Sequence, residues 1–162
     1  MHLAVPVEAF LADVDYFLRR IWVECCEHMS AFTIEGKHYS YHPMEEEGQL
    51  GMDVPVSRIL RPGVAFSYVY DFGSTTHLNL RVVGLWERGT PEGAVQLLAR
   101  NDPPAITCDQ CHTQLATEIC VDCACNDEGW LCASCARAHE CGGEMRLPVV
   151  NSPRVGVCAY TG

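Results

Sequence analysis

No stretch of this 162-residue chain approaches the ~20 consecutive apolar residues that a membrane-spanning helix requires. The opening, MHLAVPVEAFLADVD, lacks the basic stretch that begins a secretory signal, so the chain is expected to be cytoplasmic. Positive charge is scarce: 11 Lys and Arg stand against 21 Asp and Glu, a formal net charge of −10. Such a chain repels phosphate backbones, which ranks nucleic acid behind a protein partner or self-association. Catalytic signatures are missing too. There is no GxSxG, no HExxH and no phosphate-binding glycine loop.

Cysteine is what the chain has in excess: 11 residues, eight of them between Cys108 and Cys141. An odd total and paired spacing argue against a secreted disulfide framework. Cys108/Cys111, Cys120/Cys123 and Cys132/Cys135 are Cys-x-x-Cys pairs repeating every 12 residues, and His139-x-Cys141 follows as a fourth pair. Two intervening residues form a tight turn that aims both side chains at one ion. A tetrahedral zinc site takes two such pairs, so eight ligands make two closed sites. Two arrangements satisfy the spacing. Sequentially, Cys108, Cys111, Cys120 and Cys123 share one ion, and Cys132, Cys135, His139 and Cys141 the other. In a cross-brace, Cys108, Cys111, Cys132 and Cys135 share one, and Cys120, Cys123, His139 and Cys141 the other. His112 and Cys125 are spare residues in solvated loop, with Cys125 able to replace a nominal ligand.

Energetics point to metal as well. Between Cys108 and Cys141 the bulky apolar residues are Leu115, Ile119, Val121, Trp130 and Leu131, too few for a free-standing core. A structural zinc site contributes about 10–16 kcal/mol at neutral pH. Full thiolate-rich coordination makes a poor Lewis acid, so the expected role of both ions is structural.

The rest of the chain reads as α+β. Residues 7–29 have apolar residues at steps of three and four, an amphipathic helix with Asp13, Asp15, Arg19 and Arg20 between them. Cys25 and Cys26 point about 100° apart on such a helix and are expected to pack rather than chelate. Residues 31–35 and 38–42 read as a hairpin closed by Gly36 and Lys37. Residues 43–53 read as a solvated loop and 56–63 as a helical turn. Strands are expected over 64–72, 76–86 and 94–100, with turns at 73–75 and 89–93. The Asn-Asp-Pro-Pro stretch at 101–104 is a stiff linker. The last residues hold two β-rich pieces expected to rejoin the main sheet. Asp71 before Gly73 reads as a strand-end turn; the functional alternative groups it with His77 and with His38 or His42. Arg154 is expected to pair with an acidic loop.

Two resemblances sharpen this organisation. The run C-x2-C-x8-C-x2-C-x8-C-x2-C-x3-H, with ATEICVDC and WLCASCARAH inside it, resembles the B-box zinc modules. That resemblance implies the cross-brace and a role in protein interaction; Cys141 stands where a B-box usually has histidine. Residues 13–32 followed by GKHYSY, together with FSYVYDFGSTTHLNLRVV at 66–83, resemble the plasmid pRi open-reading-frame-three-like family, whose members include transposon passenger proteins. This resemblance covers residues 7–100. It implies a helix on an antiparallel sheet, no established enzymatic activity, and a link to mobile elements. The chain departs from the family pattern at Ser74 to His77, and it carries no recombinase constellation. The expected plan is an α+β domain over 1–104, a two-zinc B-box-like module over 105–145 and a β-rich tail over 146–162. Its function is read as a non-enzymatic, zinc-binding interaction module, with a nucleic-acid accessory role as the alternative and a hydrolase behind both.

Overall fold

A computed structural model of the chain describes residues 1–87 and 95–162. It is mixed α/β with sheet predominating. The chain divides into two units: Met1–Ile21 with Cys26–Asn101, and Trp22–Cys25 with Asp102–Gly162. The turn expected at 89–93 lies outside the described residues.

The first unit opens with strand β1 (His2–Ala4) and helix α1 (Leu11–Leu18). Helical structure continues as one wide π turn over Arg19–Val23. The helix is therefore much shorter than the 7–29 pattern predicted. It begins late because Phe10 is extended and bridges to Pro55. The Asp13 carboxylate accepts the Phe10 N–H at 2.8 Å, closing the first turn. Strands β2 (Ser30–Ile34) and β3 (Lys37–Ser40) follow, then β4 (Leu50–Gly51), β5 (Ala65–Tyr70), β6 (Thr76–Arg81) and, after the undescribed stretch, β7 (Gln96–Ala99).

Five of these strands form one sheet in the order β4-β3-β2-β5-β6. It is antiparallel except at its edge, where the two-residue β4 runs parallel to β3. Alternation puts Tyr68, Tyr70 and Leu78 inward and leaves His77 and Asn79 exposed. The β2–β3 turn sits one residue earlier than expected: Ile34 pairs with Lys37, leaving Glu35 and Gly36 as the loop. Both have positive φ, 49° and 79°, as a two-residue I′ hairpin turn demands. β1 and β7 pair separately as a two-stranded ribbon.

The helix meets the sheet through a buried polar network as well as through Leu11, Val14, Phe17 and Leu18. Asp15 is 1% exposed, where the amphipathic pattern placed it on the solvent side. Its carboxylate accepts Arg19 Nε at 2.8 Å, Ser30 Oγ at 2.7 Å and the Tyr68 hydroxyl at 2.8 Å. Arg19 donates onward to the His28 carbonyl and to Ser30. Its guanidinium also lies over the rings of Tyr41 and Tyr70, 4.7 and 5.0 Å from their centres. Burial and the Asp15 charge both push the Tyr68 phenol above its ordinary pKa, so it stays a donor.

The second unit carries β8 (Glu118–Cys120), α2 (Val121–Ala124), β9 (Trp130–Leu131), α3 (Ala133–Ala138) and β10 (Arg146–Pro148). Its sheet has the order β10-β8-β9. The C-terminal piece at 146–148 therefore pairs within the cysteine-rich segment, correcting the expectation that it rejoins the main sheet. Three residues of β10 find a complete partner in β8, with Arg146 opposite Cys120. The second departure is Trp22–Cys25, which packs with the C-terminal stretch. The Trp22 indole donates to the Asn151 carbonyl at 3.0 Å, and Ser152 Oγ donates to the Trp22 carbonyl at 2.6 Å.

Candidate metal centre

The eight ligands expected from spacing all lie in the second unit, and short backbone turns present them. The N–H of His112 bonds back to the Cys108 carbonyl at 3.0 Å, and His112 itself has φ 53°. That knuckle turns Cys108 and Cys111 to one side. Asp109 anchors it to β9: its carboxylate accepts the Trp130 N–H at 2.7 Å, and its own N–H donates to the Trp130 carbonyl at 2.8 Å. Cys120 ends β8 and Cys123 lies one turn into α2. Cys132 precedes α3 and Cys135 lies in its first turn, while His139 and Cys141 follow the helix.

These turns gather the side chains into two groups of four whose ligand atoms lie within 4.8 Å of one another. One is Cys108, Cys111, Cys132 and Cys135; the other is Cys120, Cys123, His139 and Cys141. The pairs are thus interleaved along the chain, first with third and second with fourth. The distances suit a metal and exclude disulfides. Cys111 and Cys132 sulfurs are 3.9 Å apart, and those of Cys123 and Cys141 3.8 Å. A disulfide is about 2.05 Å. Four thiolates about 2.3 Å from a tetrahedral zinc stand about 3.8 Å apart. His139 Nε2 lies 3.4 Å from Cys123 Sγ, and its Nδ1 is 3.4 Å from the Gln110 side-chain amide. A ring that holds metal on Nε2 carries its proton on Nδ1, and Gln110 turned to present its oxygen accepts that proton.

The thiols titrate as crowded neighbours do. The Thr113 hydroxyl, with the Thr113 and Gln114 amides, pulls Cys111 down to about 6. Ser134 lowers Cys132. Burial works against ionisation of Cys120, but hydrogen bonds from the Cys123 amide and His139 outweigh it and bring Cys120 to about 7. Cys135 is pushed up to about 12 chiefly by Cys132, and Cys123 up to about 12 by Cys120 and Cys141. Cys141 is raised as well as Cys123, so in each group some sulfurs become anions early while neighbours keep their protons. A divalent cation removes that conflict by replacing the retained protons.

The groups differ in setting. Cys108 and Cys132 are buried, whereas in the second group Cys120 alone is. A recess lined by Gln110, Cys123, His139, Glu140 and Cys141 opens onto the second group. Cys120, Leu131 and Ala136 make the small apolar core between the groups, with Cys123, Cys135, Cys141 and Met145 against it. Trp130 is half-buried in β9. Apolar burial on this scale matches the sparse inventory of the sequence.

The spare residues and other candidates fall elsewhere. Cys125 is exposed and faces the Val121 carbonyl, and His112 serves the knuckle turn. Asp71 does not meet His77, which is exposed on β6 opposite Val69. It meets His28, at 3.4 Å, a partner that spacing did not suggest. Asp71 also makes the expected turn, accepting the N–H groups of Gly73 and Ser74. Arg154 is fully buried and donates to Cys25 Sγ at 3.4 Å. Cys25 and Cys158 lie within 4.8 Å of one another in the same unit. No helix among the described residues is long and apolar enough to cross a membrane. No protein-family model, no curated protein and no solved structure matches this chain.

Proposed function

We propose that the chain is a zinc-binding, non-enzymatic interaction protein whose cysteine-rich segment is folded by two structural zinc ions. The observation that carries this reading is the pair of interleaved four-ligand groups, with sulfur separations suited to tetrahedral zinc. Zinc is favoured because thiolate with imidazole in closed sets of four is its usual structural environment. Complete ligand sets leave no position for a reacting water. The partner is another protein or a second copy of this chain. Residues 101–162 carry eight acidic side chains and three arginines, a formal −5. Seven thiolates with two divalent ions add about −3 more, which disfavours nucleic acid further. The resemblance of residues 7–100 to the plasmid pRi open-reading-frame-three-like family extends the proposal to a mobile-element setting.

Native mass spectrometry with elemental analysis tests it. The cysteine-rich segment should retain two zinc ions, and chelation should unfold residues 102–162 while the five-stranded sheet persists. A folded segment without metal, or an ion in either group of four that exchanges readily and carries water, would overturn the structural reading and favour an enzyme.

A further inference from the structure

Cys26 and His28 stand outside both groups of four, on the stretch between the π turn and β2. Cys26 Sγ lies 3.0 Å from His28 Nε2. Asp71 Oδ2 approaches the same nitrogen at 3.4 Å from the end of β5. The imidazole is held in place. Its ring meets the Tyr70 ring edge-on at 5.8 Å, and the His28 N–H donates to the Tyr70 hydroxyl at 3.3 Å. The carboxylate is held too, because Asp71 Oδ1 accepts the N–H groups of Gly73 and Ser74 at 3.0 and 3.2 Å. Glu27 and Asp71 both have φ 62°, backbone that side-chain-bearing residues adopt at a cost. At Glu27 this turn brings residues i and i+2 to one side.

A single ring nitrogen offers one lone pair or one proton. As a donor it must share one proton between a sulfur and a carboxylate. A cation on the ring nitrogen meets the sulfur as a ligand and has the carboxylate beside it, and ligands around a tetrahedral zinc stand about 3.3–3.6 Å apart for mixed nitrogen, oxygen and sulfur donors. The carboxylate separation falls in that range, and the sulfur lies slightly closer. This is not a nucleophile–base–orienter triad, since such a triad places its carboxylate on the other ring nitrogen.

We propose that Cys26 Sγ and His28 Nε2 are ligands of a third divalent-cation site of the zinc class, with the Asp71 carboxylate as its anionic neighbour. Cys26 is exposed, so this site should bind more weakly and exchange faster than the other two.

Cobalt(II) titration of the metal-stripped and refolded full chain, followed by its visible and charge-transfer bands, tests this. The wild type should take up three equivalents, the third at least tenfold weaker. Cys26→Ser and His28→Ala should each take up two and keep the bands of those two, while Asp71→Asn weakens only the third. Saturation of the wild type at two equivalents, or a third equivalent retained in Cys26→Ser and His28→Ala, would overturn the proposal. Fewer than two equivalents in those variants would instead count against the two structural ions. Near-UV circular dichroism of each variant checks that it is folded.

Discussion

At the scale of single residues, the two carboxylates of α1 illustrate what burial does to a charge. Asp13 is an exposed cap on the Phe10 N–H, whereas Asp15 is buried with three donors on it. Removing Asp15 leaves Arg19 in the interior without its anion. Asp15→Ala should therefore cost about 3 kcal/mol, and Asp13→Ala about 1 kcal/mol, in urea unfolding of the metal-loaded chain. Equal costs would contradict the network. Periodicity shows which face a residue occupies and says nothing of a partner 53 residues away, so Asp15 was legible as helical but not as buried. The cysteines were more legible, because a chelating pair needs only a local turn. Their protonation is also a residue-scale property. Cys123 and Cys135, pushed up to about 12, are protonated at neutral pH and must each lose a proton to a metal. Cys141 is raised as well, so zinc affinity should rise at least about tenfold per pH unit at the first site, and more steeply at the second, between pH 7 and 9. Below pH 7, Cys120 at about 7 and then Cys111 at about 6 begin to hold protons as well, so affinity should fall more steeply. Competition with a chromophoric chelator at several pH values measures this, and a flat profile would contradict it.

Among the elements, local signals predicted well where the structure is local. The hairpin, the Asp71 turn and the β5–β6 pair follow from alternation and turn chemistry. The helix was overextended because Cys25 and Met29 continue its apolar spacing while the backbone leaves it by Val23. β1 was missed since three residues carry no periodicity and their partner, β7, lies some 90 residues on. β10 was assigned to the wrong sheet for the same reason: a short strand does not encode its neighbour. One glycine joins the elements of the second metal group. A Cβ on Gly129 would come within 2.7 Å of the Cys120 carbonyl oxygen and 2.9 Å of the Ala124 nitrogen, both backbone atoms. Gly129 also accepts the Cys120 N–H at 2.9 Å. Gly129→Ala should weaken the second group for zinc by at least about tenfold and spare the first. Gly84→Ala, where a Cβ meets open space, is the control. Stepwise chelation followed by mass spectrometry compares the two, and equal behaviour would remove the role given to Gly129.

For the whole molecule, the two units hold themselves together by different means. The first has a sheet, a helix and a buried polar network with its own apolar core. The second has a small apolar core and, in the proposed function, depends on metal held by its ligand groups, in which first pairs with third and second with fourth. Spacing alone allowed the sequential pairing too, because it marks which residues can chelate and leaves open which pairs meet. Cadmium-113 substitution with proton-detected correlation tests that interleaving most directly, since coupling passes only through a shared metal–ligand bond. One cadmium should couple to the β protons of Cys108, Cys111, Cys132 and Cys135. Another should couple to those of Cys120, Cys123 and Cys141 and to the His139 ring. A single cadmium coupled to both Cys108 and Cys120 would contradict the account.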